Sequence, residues 1–175
     1  MDNFYAFIDE SQEGRYRLCI AAVKQTHLKE IRSSLQALRL PGQRRIHMAK
    51  ESDRRKRQIC DVIIDLQGWD AIVIESAPKK KITPETRQEL FLLAAQHPLW
   101  KKIQIVIIED SNEKLRDKRT LAWLNKYGNH KFEYKFEKPS QESCLWLADV
   151  IAWSLAKGNQ WKKIFAPRVQ VISGP

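Results

Sequence analysis

Cysteine is scarce in this chain: only Cys19, Cys60 and Cys144, odd in number, far apart and each set among apolar neighbours. That pattern argues against a disulfide framework and a cysteine-based zinc site, and it predicts three reduced core thiols in a cytoplasmic protein. Long hydrophobic runs are missing as well. No stretch approaches the ~20 apolar residues of a membrane span, and the opening Met1-Asp2-Asn3 has neither the basic start nor the apolar core of a secretory signal. No membrane partner is expected. There is no Walker loop, no Gly-x-Gly-x-x-Gly, no Gly-x-Ser-x-Gly and no His/Cys zinc spacing, so nucleotide-driven, acyl-transfer and zinc chemistries lack a foothold. Repeats, low-complexity tracts and linkers are absent too. The 175 residues therefore read as one domain with a substantial core.

What the chain has in excess is positive charge: 31 Lys and Arg against 21 Asp and Glu, a net +10. Basic side chains gain affinity for a polyanion by displacing counterions from phosphates, so nucleic acid is the partner this balance suits. The charge is concentrated. Between Gln43 and Arg57 lie Arg44, Arg45, Lys50, Arg54, Arg55, Lys56 and Arg57, opposed only by Glu51 and Asp53. His47 sits in the same run, where an imidazole titrating near neutrality could contact phosphate or protonate a leaving group.

Hydrophobic periodicity predicts a hairpin followed by strands alternating with helices. Residues 4–9 read as a strand buried on both faces, and residues 16–23 as its partner across a turn at Glu13-Gly14. Leu28, Ile31, Leu35 and Leu38 mark a helix that Thr26 opens and Pro41-Gly42 stops. Arg45-Ile46-His47 is expected to form a short strand. A helix carrying Ile59, Val62, Ile63 and Leu66 follows, then a strand at 71–75, a helix from Thr83-Pro84, a strand at 103–108 and a helix from Ser111 to Tyr127. Phe132, Tyr134 and Phe136 alternate with polar residues in a half-wet strand. Ser140 is placed as the cap of the next helix, and residues 158–175 as a basic tail without regular structure. This order implies an α/β fold with a mixed central sheet and helices packed on its faces.

Carboxylates stand where such a core should exclude them. The helix around 144–155 is apolar nearly all the way round, yet it contains Asp149 among Leu145, Trp146, Ala152 and Trp153. A lone buried carboxylate costs several kcal/mol unless it is protonated, paired or metal-bound. The first strand runs into Asp9-Glu10, and the strand at 103–108 into Glu109-Asp110. Ligand sites of open α/β sheets gather at the carboxyl ends of neighbouring strands, so these acids are placed to hold divalent metal. Strand alternation leaves open whether Glu109 or Asp110 faces the site, and Glu51 and Glu75 are further candidates. Trp146, Trp153 and Trp161 could stack on bases, although the first two share one helix face and suit a core.

Phe7-Ile8-Asp9-Glu10-Ser11 together with Leu147-Ala148-Asp149-Val150-Ile151-Ala152-Trp153 resembles the ribonuclease H-like family catalogued as domain of unknown function 3800. The blocks Leu40 to His47, Lys50-Glu51-Ser52, Ile108-Glu109 and Asp117-Lys118-Arg119 are similar to a subgroup of it. Gln12 stands where the family carries Gly after Asp-Glu-Ser. The resemblance implies a ribonuclease H-like fold in which Asp9, Glu109 (or Asp110) and Asp149 bind two Mg²⁺ or Mn²⁺. Glu10 and Asp110 would be supporting or alternate ligands. The activity inherited from the wider fold is hydrolysis of nucleic-acid phosphodiesters in RNA, DNA or a hybrid, with Arg44, Arg45, His47, Lys50, Arg54, Arg55 and Arg57 holding the phosphates. The alternative is a non-catalytic module that binds nucleic acid or protein through the same basic face.

Overall fold

In the computed structural model, which describes residues 2–175, a single six-stranded sheet runs through the molecule in the order β5-β4-β1-β2-β3-β6. The strands are β1 (Phe4–Ser11), β2 (Arg17–Lys24), β3 (Trp69–Glu75), β4 (Ile103–Glu109), β5 (Glu133–Glu137) and β6 (Val169–Ser173). Strand β2 is antiparallel to β1 and β3, while β1–β4, β4–β5 and β3–β6 are parallel pairs. The ends of β1 and β4 therefore share one edge of the sheet. Gly14, at φ +74°, makes the turn of the β1–β2 hairpin in the left-handed region that side chains avoid.

Helices cover both faces. On one lie α1 (Leu28–Ala37), α2 (Asp53–Asp65), α5 (Cys144–Lys157) and α6 (Asn159–Phe165). On the other lie α3 (Pro84–Ala94) and α4 (Lys114–Tyr127). Side-chain alternation divides the sheet between two cores: Phe7, Cys19 and Ile107 join the first, Ile8, Ile20 and Ile108 the second. Helix α5 packs across β1 and β2 with α1 and α6 beside it, which is why it is apolar all round. Each fully buried Leu or Ile there stabilises the fold by about 1.5–3 kcal/mol. All three cysteines are buried and unpaired. Among the described residues no helix is long and apolar enough to cross a membrane.

Three local expectations are corrected. Residues 44–47, including the expected strand Arg45-Ile46-His47, are irregular and lead into a single 3₁₀ turn at Met48–Lys50, whose first N–H is taken up by Asp149. Ser140 does not cap α5: the helix opens at Cys144, whose N–H donates to Glu142 Oε1 at 3.1 Å, and Arg32 holds that carboxylate through two hydrogen bonds. The tail is ordered. Gly158 (φ +71°) breaks α5 from α6, and Val169–Ser173 adds β6 in parallel beside β3. The short apolar alternation Val169-Gln170-Val171-Ile172 is masked in the sequence by the basic residues around it.

Candidate active site

The sheet and α5 together assemble two carboxylates from opposite ends of the chain. Asp9 lies opposite Cys19 in the β1–β2 ladder and, with Phe7, faces the layer containing α5. Asp149 comes from α5 to the same spot, near enough that its charge raises the Asp9 carboxyl. Backbone amides fix both. The Glu10 N–H donates to Asp9 Oδ1 at 2.8 Å, and the Met48 N–H, from the 3₁₀ turn, donates to Asp149 Oδ2 at 2.9 Å. Both residues are partly exposed, so the pair is not sealed in the core.

The electrostatics are those of two acids competing for one proton. Burial, then the Asp149 charge, pushes the Asp9 carboxyl up to about 8, and the Glu109 charge adds to this. Asp149 is raised too, first by burial, with the Met48 amide, His47 and Arg45 holding it down in part. The Cys19 thiol beneath them is pushed well up, by burial and then by both aspartates. Neither aspartate forms an ion pair among the described residues.

Glu109 stands one step beyond the Ile8–Ile108 pair on the strand next to Asp9. Ile107 belongs to the α5 layer, so Glu109 shares the face of Asp9 and not that of Glu10. Its Oε1 lies 3.8 Å from Arg45 Nη1. His47 Nδ1 is buried with no hydrogen-bond partner, and its ring adjoins Asp149. Among the described residues no three His, Cys, Asp or Glu side chains converge into a ready-made metal cage.

These groups fit a divalent cation. Two carboxylates without a cationic partner, a third acid on the same face and an orphaned imidazole nitrogen make a site short of positive charge. Mg²⁺ in particular takes one or two carboxylates and completes its shell with water and substrate phosphate, so an open, incomplete cage suits it. Asp9 and Asp149 would hold the ion directly and Glu109 would reach it once released from Arg45.

Other candidates are not brought to this spot. Glu10 turns to the opposite sheet face, where Arg87 Nη1 donates to it, as alternation along β1 requires. Asp110 is exposed between β4 and α4 and accepts from Lys114 Nζ at 3.3 Å. Glu75 is paired with Arg15 and Arg17. Glu51 accepts from Gln43 Nε2 at 2.9 Å and lies 3.5 Å from Arg55 Nε.

The basic run divides into working and free members. Arg55 is structural: it also donates to the Leu38 carbonyl at the end of α1. Arg45 guards Glu109, while Arg44, Lys50, Arg54 and Arg57 stand exposed around the start of α2, close to the turn that holds Asp149. Trp146 is buried in the core, and Trp153 and Trp161 meet edge to face at 5.1 Å beneath Lys56 and Arg57. Sequence reasoning misses the Met48 amide. Its only signal is the closeness of the irregular 44–47 segment to a helix start.

Because burial holds Asp9 protonated in the folded chain but not in the unfolded one, metal-free stability should fall as pH rises from about 4 to about 8. Below that window both states carry the proton and the stabilisation is complete. Urea unfolding in EDTA across this range is expected to show wild type losing a few kcal/mol relative to Asp9→Asn. Parallel curves for the two proteins would refute the raised pKa of Asp9.

The chain superposes on the RNase HII of Archaeoglobus fulgidus, solved in complex with PCNA, with a TM-score of 0.52 at 16% identity. The match covers 88% of this chain and 73% of that one. Bst-RNase HIII, solved in complex with Mn²⁺, matches with a TM-score of 0.50 at 12% identity over 89% of this chain. The chain spans about half of that protein's length, 52%. No family model and no curated protein matches the sequence. The fold is thus an α/β fold of the ribonuclease H-like type. The resemblance to domain of unknown function 3800 is not matched by a family model.

Proposed function

We propose that the chain is a metal-dependent nuclease that hydrolyses nucleic-acid phosphodiester bonds at the Asp9–Asp149 pair, with Mg²⁺ or Mn²⁺ as cofactor and Glu109 as the third acid. One observation carries this: two carboxylates from opposite ends of the chain are brought together, each fixed by a backbone amide, with no ion pair to either and with Arg45 and His47 offsetting them only in part. A fold does not retain such repulsion for stability's sake. When bound, divalent metal would activate a water and stabilise the leaving oxygen of a phosphodiester. Asp9 and Asp149 would fix where that happens, His47 beside Asp149 would contact phosphate, and Arg44, Lys50, Arg54 and Arg57 would offer the backbone a cationic bank. The likeness to RNase HII and RNase HIII supports the class of chemistry, and the Mn²⁺ in the latter's structure supports the metal.

The test is thermal unfolding in EDTA, Mg²⁺ and Mn²⁺, paired with cleavage assays on single-stranded RNA, duplex DNA and an RNA–DNA hybrid. Metal at about 100 times its dissociation constant should stabilise the protein by roughly 2.7 kcal/mol. Metal-dependent cleavage of at least one substrate completes the expected result. No metal shift with or without nucleic acid, and no cleavage, would leave a binding module on the same fold.

A further inference from the structure

Helix α4 exposes Lys114, Arg116, Lys118, Arg119 and Lys126, while its one acid, Asp117, is buried against Arg87. Along one stripe, at helical offsets of three and four, stand Arg116, Arg119, Trp123 and Tyr127. The two aromatics are the unusual members. Trp123 is 50% and Tyr127 60% exposed, their centroids 5.4 Å apart, and Lys126 Nζ lies 5.1 Å from the Tyr127 ring. Neither aromatic covers the core, which α4 reaches through Leu121 and Leu124.

The stripe borders a groove. Between α3 and α4 lie two successive depressions, about 300 Å³ beside Arg116 and Arg119 and about 500 Å³ beside Trp123 and Tyr127. Gln88 and Leu92 of α3, with Gln96 just past its end, supply the facing wall. Acids stand only at the first depression: Glu85, Glu113, which is 3.8 Å from Arg116, and Asp117 already bound to Arg87. The second is lined by no carboxylate and includes Lys101 and His130. A helix of fourteen residues gives the groove about 20 Å of length.

We infer that this α3–α4 groove binds a single-stranded segment of nucleic acid, its phosphates on Arg116 and Arg119 and its bases stacked on Trp123 and Tyr127. Exposed aromatic faces with a cationic border are what unpaired bases require, since every base has a π face and sequence is immaterial. A duplex hides those faces inside its stack. The groove lies on the sheet face opposite Asp9 and Asp149, so it is separate from the proposed metal site and does not rest on that assignment.

Fluorescence anisotropy of the full chain in EDTA, with labelled oligo-dT of about 15 nucleotides and a duplex of equal length, tests this. Trp123→Ala is expected to weaken single-strand binding about ten-fold or more while leaving duplex binding unchanged, and Trp123→Phe to restore most of it. Arg116→Ala with Arg119→Ala should flatten the slope of log affinity against log salt by roughly 1.4. Trp123→Ala binding oligo-dT like wild type would overturn the inference, leaving a cationic surface without stacking. So would a wild-type chain that does not bind single strands, which would assign the aromatic patch to a protein partner.

Discussion

Replacing Asp149 by Asn should lower phosphodiester hydrolysis by about a thousand-fold or more while making the metal-free protein harder to unfold. The two effects have one cause. The amide oxygen still accepts from the Met48 N–H, and the new Nδ2 becomes a donor to Asp9, so the repulsion becomes a hydrogen bond. Asp9 then ionises at lower pH, and the gain at pH 8 should be about 1–3 kcal/mol, a rise of a few degrees in Tm. The loss of rate corresponds to roughly 4 kcal/mol of transition-state stabilisation removed with the charge. Differential scanning fluorimetry in EDTA and in Mn²⁺, beside the cleavage assay, reads both. A variant that is destabilised in EDTA yet still active would show that Asp149 is a structural residue.

In the proposed reading, this opposition of stability and activity explains why the site is partly legible in the amino-acid sequence. A carboxylate in an apolar helix breaks the hydrophobic pattern, and broken patterns concentrate where function overrides packing. Asp149 stands out for that reason. Asp9 stands out because a strand buried on both faces ends in charge. The choice between Glu109 and Asp110 is not legible, since it depends on which way β4 faces when it pairs with β1, and a shift of one residue reverses every side chain.

Glu10 misleads for the same reason. Its neighbour Asp9 lies in the site, so proximity in sequence suggests proximity in space, whereas the pleat sends Glu10 to Arg87. The 44–47 segment fails differently. Four residues of mixed character hold too little periodicity to separate a strand from the irregular run that presents the Met48 amide. The main elements are recoverable because both cores repeat at helical or strand spacing over many residues.

The same opposite face supplies the largest expected effect on stability. Arg87, on α3, is almost wholly buried and ties three elements together. Its Nε and Nη2 donate to the two oxygens of Asp117 on α4, at 2.7 and 2.9 Å, and Nη1 donates to Glu10 on β1 and to the Tyr16 hydroxyl. Asp117 is 2% exposed, so it has no recourse to water if the guanidinium is removed. Arg87→Met should therefore cost about 3–5 kcal/mol, the penalty of stranding a buried carboxylate. The expected fall in Tm is on the order of 10 °C for a chain of this size. Replacing both partners is a different experiment. Arg87→Met with Asp117→Leu removes the charge together with its partner, and well-packed apolar pairs often match a buried ion pair, so the double variant should recover most of the loss. Glu10, partly exposed, would then be left to water at little cost. Thermal unfolding of the two single variants and the double variant reads the coupling. Additive losses would mean that Arg87 and Asp117 act independently, and that the fork seen between α3 and α4 does not bind these helices together.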